Sequence, residues 1–338
     1  MYASGSFNTF IGGNAGKGGT TSAPYSSGQN NTAIGYKAFY EATTGGLNTI
    51  VGQEAGEKIT EGQTNSILGY RAGRNITTGA SNVAIGFEAQ RDENVTGTVA
   101  IGARAGLYNS GGDNTFVGNE AGRNSGAGTD QVIIGHDAGY YAHGNDVVII
   151  GESAGKYTAG SYNTFVGKEA VKGGTTSVPY SSGTDNTALG YQALQSENTE
   201  LGNSTAIGYQ AVSTQNFTTA ENTYNTGIGS AALASNTTGV YNTALGGQAL
   251  SANQAGQKHT AIGYGAGLDI TGGEENTLVG YLAGENLTTS SGNVAVGQEA
   301  LKTNTTGNFN VAIGRESLLS LTTAANCVAV GKATLENV

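Results

Sequence analysis

The sequence reads as an all-β protein, a parallel β-solenoid of about 19 coils with 16–17 residues each, and three observations lead there. An aliphatic residue followed by glycine recurs nineteen times, from Ile11-Gly12 to Val330-Gly331. Glycine accounts for 57 of 338 residues and proline for only two, so the chain turns often without the period or the proline content of collagen. No segment sustains a helical period, and a unit of 16–17 residues is too short to bury a core except by stacking on copies of itself.

The eighteen intervals between anchor glycines are ten of 17 residues, four of 16, and one each of 18 and 21 besides two of 23. The residue before the anchor is always Ile, Val or Leu; three before it stands Thr, Val or Ser; four before it stands Asn in thirteen copies. This Asn-Thr-x-Ile-Gly run, as in Asn31-Thr32-Ala33-Ile34-Gly35, is a short strand with side chains alternating between two faces. The anchors, among them Gly35, Gly86, Gly190, Gly246 and Gly314, mark where the backbone bends or sits against a neighbour. Ala follows three residues later in seventeen copies, and an Asn/Thr/Gly stretch such as Thr77-Thr78-Gly79 turns the chain back. Eighteen steps at about 4.8 Å imply a single elongated repeat domain, residues 1–338, on the order of 85 Å long.

Stacking places equivalent residues in columns. Two residues after the anchor, consecutive coils read Glu54, Arg71, Glu88, Arg104 and Glu120, the alternation an ion-pair ladder needs. His259 takes the place of an Asn between Asn242 and Asn276, which reads as a polar rung. On the strand, the positions one and three before the anchor share a face and read as the coil's own core, the interchange of Thr with Val there marking burial. The position between them, Phe10, Ala33, Ile50, Ile67, Ala84, Ala100, Phe116, Ile133, Ile149 and Phe165, then faces outward and is also apolar, so it reads as the seam of an oligomer, most simply a parallel homotrimer.

A formal charge of −10 argues against nucleic acid or an anionic membrane as the main partner. The longest aliphatic run, Val147 to Ile150, is far short of a membrane span, and Cys327 alone forms no internal disulfide. The segment Met1-Tyr2-Ala3-Ser4-Gly5 lacks the basic-then-apolar character of a signal peptide.

The run Asn186-Thr187-Ala188-Leu189-Gly190-Tyr191-Gln192-Ala193-Leu194 resembles the head repeats of YadA-like trimeric autotransporter adhesins, and also related repeats of bacteriophage tail fibres. The resemblance covers essentially the whole chain. It implies a left-handed parallel β-roll, three chains wrapped together, and a surface role in attachment. Coils longer than the adhesin repeat, with no heptad stalk and no anchor barrel, fit a fibre subunit or a piece of a longer fibre better than a complete autotransporter.

Contact residues are sought where the repeat departs from itself. The two 23-residue intervals carry nearly the same insertion, 17–28 and 172–183, with Tyr25 and Tyr180 able to stack on a sugar. A smaller bulge at 215–224 offers Phe217 and Tyr224. Tyr191, Tyr209, Tyr264 and Tyr281 follow their anchors and form columns that either bind glycan or simply suit a half-exposed strand end.

No catalytic constellation stands out. His136, Asp137, His143 and Asp146 match no standard zinc spacing; Gly151 to Lys156 is one residue short of a phosphate loop; Gly126 to Val132 matches a calcium nonapeptide only once. The expectation is a non-enzymatic fibre or adhesin segment, extracellular or on a virion, without cofactor or metal, partnered by itself and by a host-surface glycan or protein. A self-assembling filament and an autotransporter head are the alternatives. A polysaccharide-cleaving tailspike lacks a unique carboxylate pair, and an ice-binding solenoid lacks a hydroxyl array, since the interchange of Thr with Val marks that column as buried.

Overall fold

A computed structural model describes residues 5–18, 27–173, 182–195, 202–215 and 222–335. The chain divides into two compact units, Met1–Tyr162 and Asn163–Val338. Both are parallel β-solenoids of about 17 residues per turn, and no helix occurs among the described residues.

The first unit carries β1 (Thr9–Ile11), β2 (Thr32–Ile34), β3 (Thr49–Val51), β4 (Ser66–Leu68), β5 (Val83–Ile85), β6 (Val99–Ile101), β7 (Thr115–Val117), β8 (Val132–Ile134) and β9 (Val148–Ile150). The second carries β10 (Thr164–Val166), β11 (Thr187–Leu189), β12 (Thr205–Ile207), β13 (Thr226–Ile228), β14 (Thr243–Leu245), β15 (Thr260–Ile262), β16 (Thr277–Val279), β17 (Val294–Val296), β18 (Val311–Ile313) and β19 (Val328–Val330). Within each unit every strand pairs in parallel with the next, and like stands on like: Ala33 on Ile50, Ile34 on Val51, Thr243 on Thr260.

The anchor glycine is required twice over. Gly35, Gly86, Gly190, Gly246 and Gly314 have φ of 136, 134, 135, 140 and 126°, a region that side chains disfavour. A Cβ on Gly35 would also stand 2.4 Å from the Gly52 carbonyl oxygen, and one on Gly190 2.5 Å from that of Gly208. Other corners use ordinary residues in the left-handed region, such as Glu54 (φ 55°) and Arg71 (φ 55°). There the N–H donates to the preceding coil, Glu54 to Tyr36 O at 2.8 Å and Arg71 to Gln53 O at 3.0 Å, and these bonds offset the strain.

Four residues before the anchor, a buried asparagine ladder joins the coils. The N–H groups of Asn48, Asn65 and Asn82 donate to Oδ1 of Asn31, Asn48 and Asn65 at 3.0, 2.9 and 3.0 Å. The Nδ2 groups of Asn31, Asn48 and Asn65 donate to the carbonyls of Gly45, Gly62 and Gly79 at 2.9, 2.9 and 3.0 Å. One side chain thus satisfies a strand-entry N–H above it and a turn carbonyl. Threonines of the returning turn add a second seam of bonds, with Thr60, Thr288 and Thr305 Oγ1 donating to Thr77, Thr305 and Thr322 O at 3.2, 2.9 and 3.1 Å.

The two strand faces are the reverse of the sequence expectation. The middle residue lines the interior: Ala33, Ile50, Phe116, Ile133 and Ile149 are fully buried, as are Ile67 and Phe165 to within 2%. The flanking Thr/Val and Ile/Val/Leu positions point outward and are half-buried or exposed. The physical reason is volume. The interior of each coil is a limited volume, so the size of the middle residue trades against that of the residue four after the anchor. A Cβ built on Gly56, Gly73 or Gly139 would stand 3.0, 2.7 and 2.7 Å from large Ile50, Ile67 and Ile133, whereas the coils with small Ala33, Ala188, Ala244 and Ala295 carry buried Phe39, Leu194, Leu250 and Leu301 at the glycine's position. Where both are small, neighbours fill the gap: Phe116 comes within 2.7 Å of a Cβ built on Gly106, and Leu278 and Leu250 within 2.7 and 2.9 Å of one on Gly267. Each buried Ile, Leu or Phe contributes about 1.5–3 kcal/mol, and this narrow apolar interior holds the coils together.

Candidate interaction surface

The outward strand face carries no charged side chain in any coil. Its two columns are Thr/Val/Ser at the start of each strand and Ile/Val/Leu at its end, separated by about 7 Å and repeated at about 4.8 Å. In the second unit seven successive strands, β10 to β16, begin with Thr. The aliphatic column is open to solvent: Ile11 is 56% exposed, Leu68 50%, Leu189 46% and Leu245 44%, with Ile34, Ile101, Ile262 and Ile313 close behind. An exposed aliphatic column with no ionisable side chain on its face is poorly suited to water and well suited to a second surface.

Most of the paired charged side chains are gathered elsewhere, in columns two and five residues after the anchor. Arg71 Nε donates to Glu54 Oε2 at 2.7 Å, Arg74 Nε to Glu57 Oε2 at 2.6 Å, and Arg104 spans Glu88 at 3.3 Å and Glu120 at 3.5 Å. Three of the four expected ladder steps are ion-paired; between Arg71 and Glu88 the pairing passes instead to Arg91, which bonds Glu88 at 2.5 Å from the second column. The hydrogen bond from Arg71 holds the Glu54 carboxyl below its usual range against the opposing effect of burial. The bond to Glu57 likewise raises the Lys37 ammonium. Further along, burial lowers Lys156, but its 2.6 Å bond to Asp137 outweighs this and leaves it raised. Repeated, mutually neutralised pairs rigidify a surface and single out no carboxylate as an acid or nucleophile.

The tyrosine columns are formed as ring stacks. Tyr191 and Tyr209 lie 5.7 Å apart between centroids at 19°, and Tyr264 and Tyr281 lie 5.9 Å apart at 16°. All four are exposed, and Tyr264 also donates its hydroxyl to Gln248 Oε1 at 2.6 Å. Stacked rings satisfy one another's faces and present edges and hydroxyls outward. A third stack, Tyr224 on Tyr241 at 5.5 Å and 10°, lies at the corner five residues before the anchor. The signal for it was the 17-residue spacing of the two tyrosines. Sequence reasoning also missed a mixed cluster in the first unit. There Arg123 sits 5.2 Å over the Tyr140 ring, Lys156 5.7 Å over both Tyr140 and Tyr157, and Tyr141 stacks on Tyr157 at 5.8 Å. Tyr25, Tyr180 and Phe217 lie outside the described residues, as do most of the insertions 17–28 and 172–183 and the bulge 215–224.

Among the described residues, no three His, Cys, Asp or Glu side chains come together as metal ligands. His136 is exposed with its Nε2 3.9 Å from Asp137 Oδ1, and His143 Nε2 lies 2.8 Å from the Asn124 carbonyl. Among the same residues, no helix is long and apolar enough to cross a membrane. His259 is a buried member of the asparagine ladder. No protein-family model matches the chain, and no curated protein is found as a relative, so the fold and its surfaces are the ground for a functional reading.

Proposed function

We propose that the chain is a structural fibre or adhesin segment, of the kind carried on a phage tail fibre or similar surface appendage, and that it attaches to a host-cell surface. In this reading it is not an enzyme, it stands outside the cell or on a virion, and its first partner is itself, as a parallel homotrimer.

The observation that carries the reading is the outward aliphatic column, Ile34, Leu68, Ile101, Leu189, Leu245, Ile262 and Ile313 among its members. A face of this kind is stabilised by burial against further copies, and a parallel copy presents the same 4.8 Å repeat, so knobs meet gaps along every coil. The covering surface is thus the outward Thr and Ile columns rather than the middle residues that the sequence suggested. Threefold closure and left-handed winding follow from the resemblance to adhesin heads. The ion-pair columns belong to residues outside the strands and support a rigid, soluble exterior. The exposed tyrosine stacks supply aromatic edges and hydroxyls for contact with glycan or protein.

Sedimentation equilibrium tests the assembly: the expected mass is three times the 33.9 kDa of one chain, and a monomer overturns the seam. Binding of labelled protein to host cells, reduced by enzymatic stripping of surface glycans or protein, tests attachment. Release of oligosaccharide from capsule or lipopolysaccharide would make the chain an enzyme and overturn the non-enzymatic reading.

A further inference from the structure

The asparagine ladder of the second unit has one titratable rung. The His259 N–H donates to Asn242 Oδ1 at 3.0 Å, as an asparagine would. Upward, the role of the missing amide oxygen falls to the ring: Nδ1 accepts the Asn276 N–H at 3.3 Å and lies 3.4 Å from Asn276 Nδ2. Above this the ladder resumes, with the Asn293 N–H on Asn276 Oδ1 at 2.9 Å. The ring is 1% exposed.

We propose that His259 is an acid-sensitive joint, where protonation of the ring breaks the hydrogen-bonded ladder between the coils of β15 and β16 and opens the unit locally. Nδ1 keeps its place only as an acceptor, with the proton on Nε2. A proton on Nδ1 would set a donor against the two donors of Asn276 and leave a buried cation. Asparagine, at the equivalent rungs, has an oxygen that does not titrate.

No carboxylate is placed to rescue the charge. The preceding coil, residues 240–257, has no charged residue. Lys258, Glu274 and Glu275 sit on the exposed corner and pair with each other, Lys258 Nζ at 3.1 Å from Glu275 and 3.9 Å from Glu274. Asp269 is exposed, and Glu285 is paired with Lys302 at 3.4 Å. Burial accordingly pushes the imidazole from 6.5 down to about 4, against a smaller upward pull from the Gly273 backbone. The unfolded or opened chain binds the proton more readily than the closed one. Stability is therefore complete above about pH 6.5 and is lost as pH falls from there towards 4.

Peptide-resolved hydrogen–deuterium exchange on the whole chain, corrected for intrinsic rates, tests this at about pH 7.5 and about pH 4.5, where linkage predicts a change in opening on the order of a hundredfold. The expected result is loss of protection in peptides spanning 255–280 in acid, while those over β17 and β18 lose less. His259→Asn should be protected at both pH values, because it restores the ordinary rung. The wild type keeping its protection in acid, or His259→Asn losing as much, overturns the proposal. Should His259→Asn already be open at neutral pH, an NMR titration of the wild-type imidazole decides: titration near the free-histidine value overturns the proposal, and titration well below it, accompanied by opening, supports it. A variant with Asn at both exposed histidines, His136 and His143, should retain the acid response.

Discussion

Ile67 and Gly73 share one space: a methyl group on Gly73 would stand 2.7 Å from Cδ1 of Ile67 and 3.0 Å from Cδ1 of Ile76. In the second unit the same positions read Ala244, Leu250 and Asn253, with the bulk moved from the strand to the following corner. Both sets keep the corner in the left-handed region, Gly73 at φ 56° and Leu250 at φ 51°. Gly73→Leu alone should therefore cost about 3 kcal/mol or more by overpacking. Adding Ile67→Ala and Ile76→Asn converts the coil to the other solution and should recover at least half. Urea midpoints of the single and triple variants check this; a triple variant weaker than the single would refute size compensation.

Gly190 and Gly272 are a matched pair for a second measurement. A Cβ on Gly190 meets the Gly208 carbonyl at 2.5 Å with φ at 135°, whereas one on Gly272 meets nothing within 4 Å. Gly190→Ala should cost about 2–4 kcal/mol and loosen the neighbouring coils, and Gly272→Ala should stay within about 0.5 kcal/mol of wild type. Thermal melts of the two variants give the comparison.

The outward aliphatic column can be charged without touching the interior. Leu245→Glu together with Ile262→Glu should weaken self-association on the order of a hundredfold or more, since two apolar contacts per interface are lost. Far-ultraviolet circular dichroism should be unchanged. An unaltered mass in sedimentation would move the seam elsewhere.

The Glu54–Arg71 pair also loses its contribution in acid, as the His259 rung does, but at lower pH and by neutralising an ion pair rather than by charging a buried ring. Arg71 lowers the Glu54 carboxyl, so its contribution is present above the ordinary value of 4.5 and is lost as pH falls below it. Glu54→Gln should flatten the acid-side loss of amide protection around β3 to β5. The effect should also shrink with added salt, because the pair is partly open to solvent. Identical acid profiles for variant and wild type would make the pair energetically silent.

How much of this was readable beforehand differs by feature. The strand positions, the anchor glycines and the columnar register are periodic, and period alone carries them. Which strand face is inside is not periodic, because both faces are apolar. The deciding clue is that the middle residue ranges from Gly227 through Ala244 to Phe165 while the flanking aliphatics hardly vary in size. A position whose bulk tracks that of a residue six places on is constrained by a closed volume. The Tyr191–Tyr209 and Tyr264–Tyr281 stacks followed from column logic. Tyr224 and Tyr241 did not, because their corner adopts the left-handed region with φ of 49 and 59°, where composition predicts Asn or Gly rather than an aromatic. The acid-sensitive rung needed the ring's hydrogen-bond direction, which no sequence displays.

The trade of bulk between strand and corner reaches no further than the coil on either side. A coil carried into another place brings most of its own filling with it, and its neighbours need only small adjustments. Length then becomes a quantity that recombination between repeats can change in single steps, with no mutation required at a distance. Selection on reach, from wherever such a chain is mounted to whatever it touches, can act by counting coils.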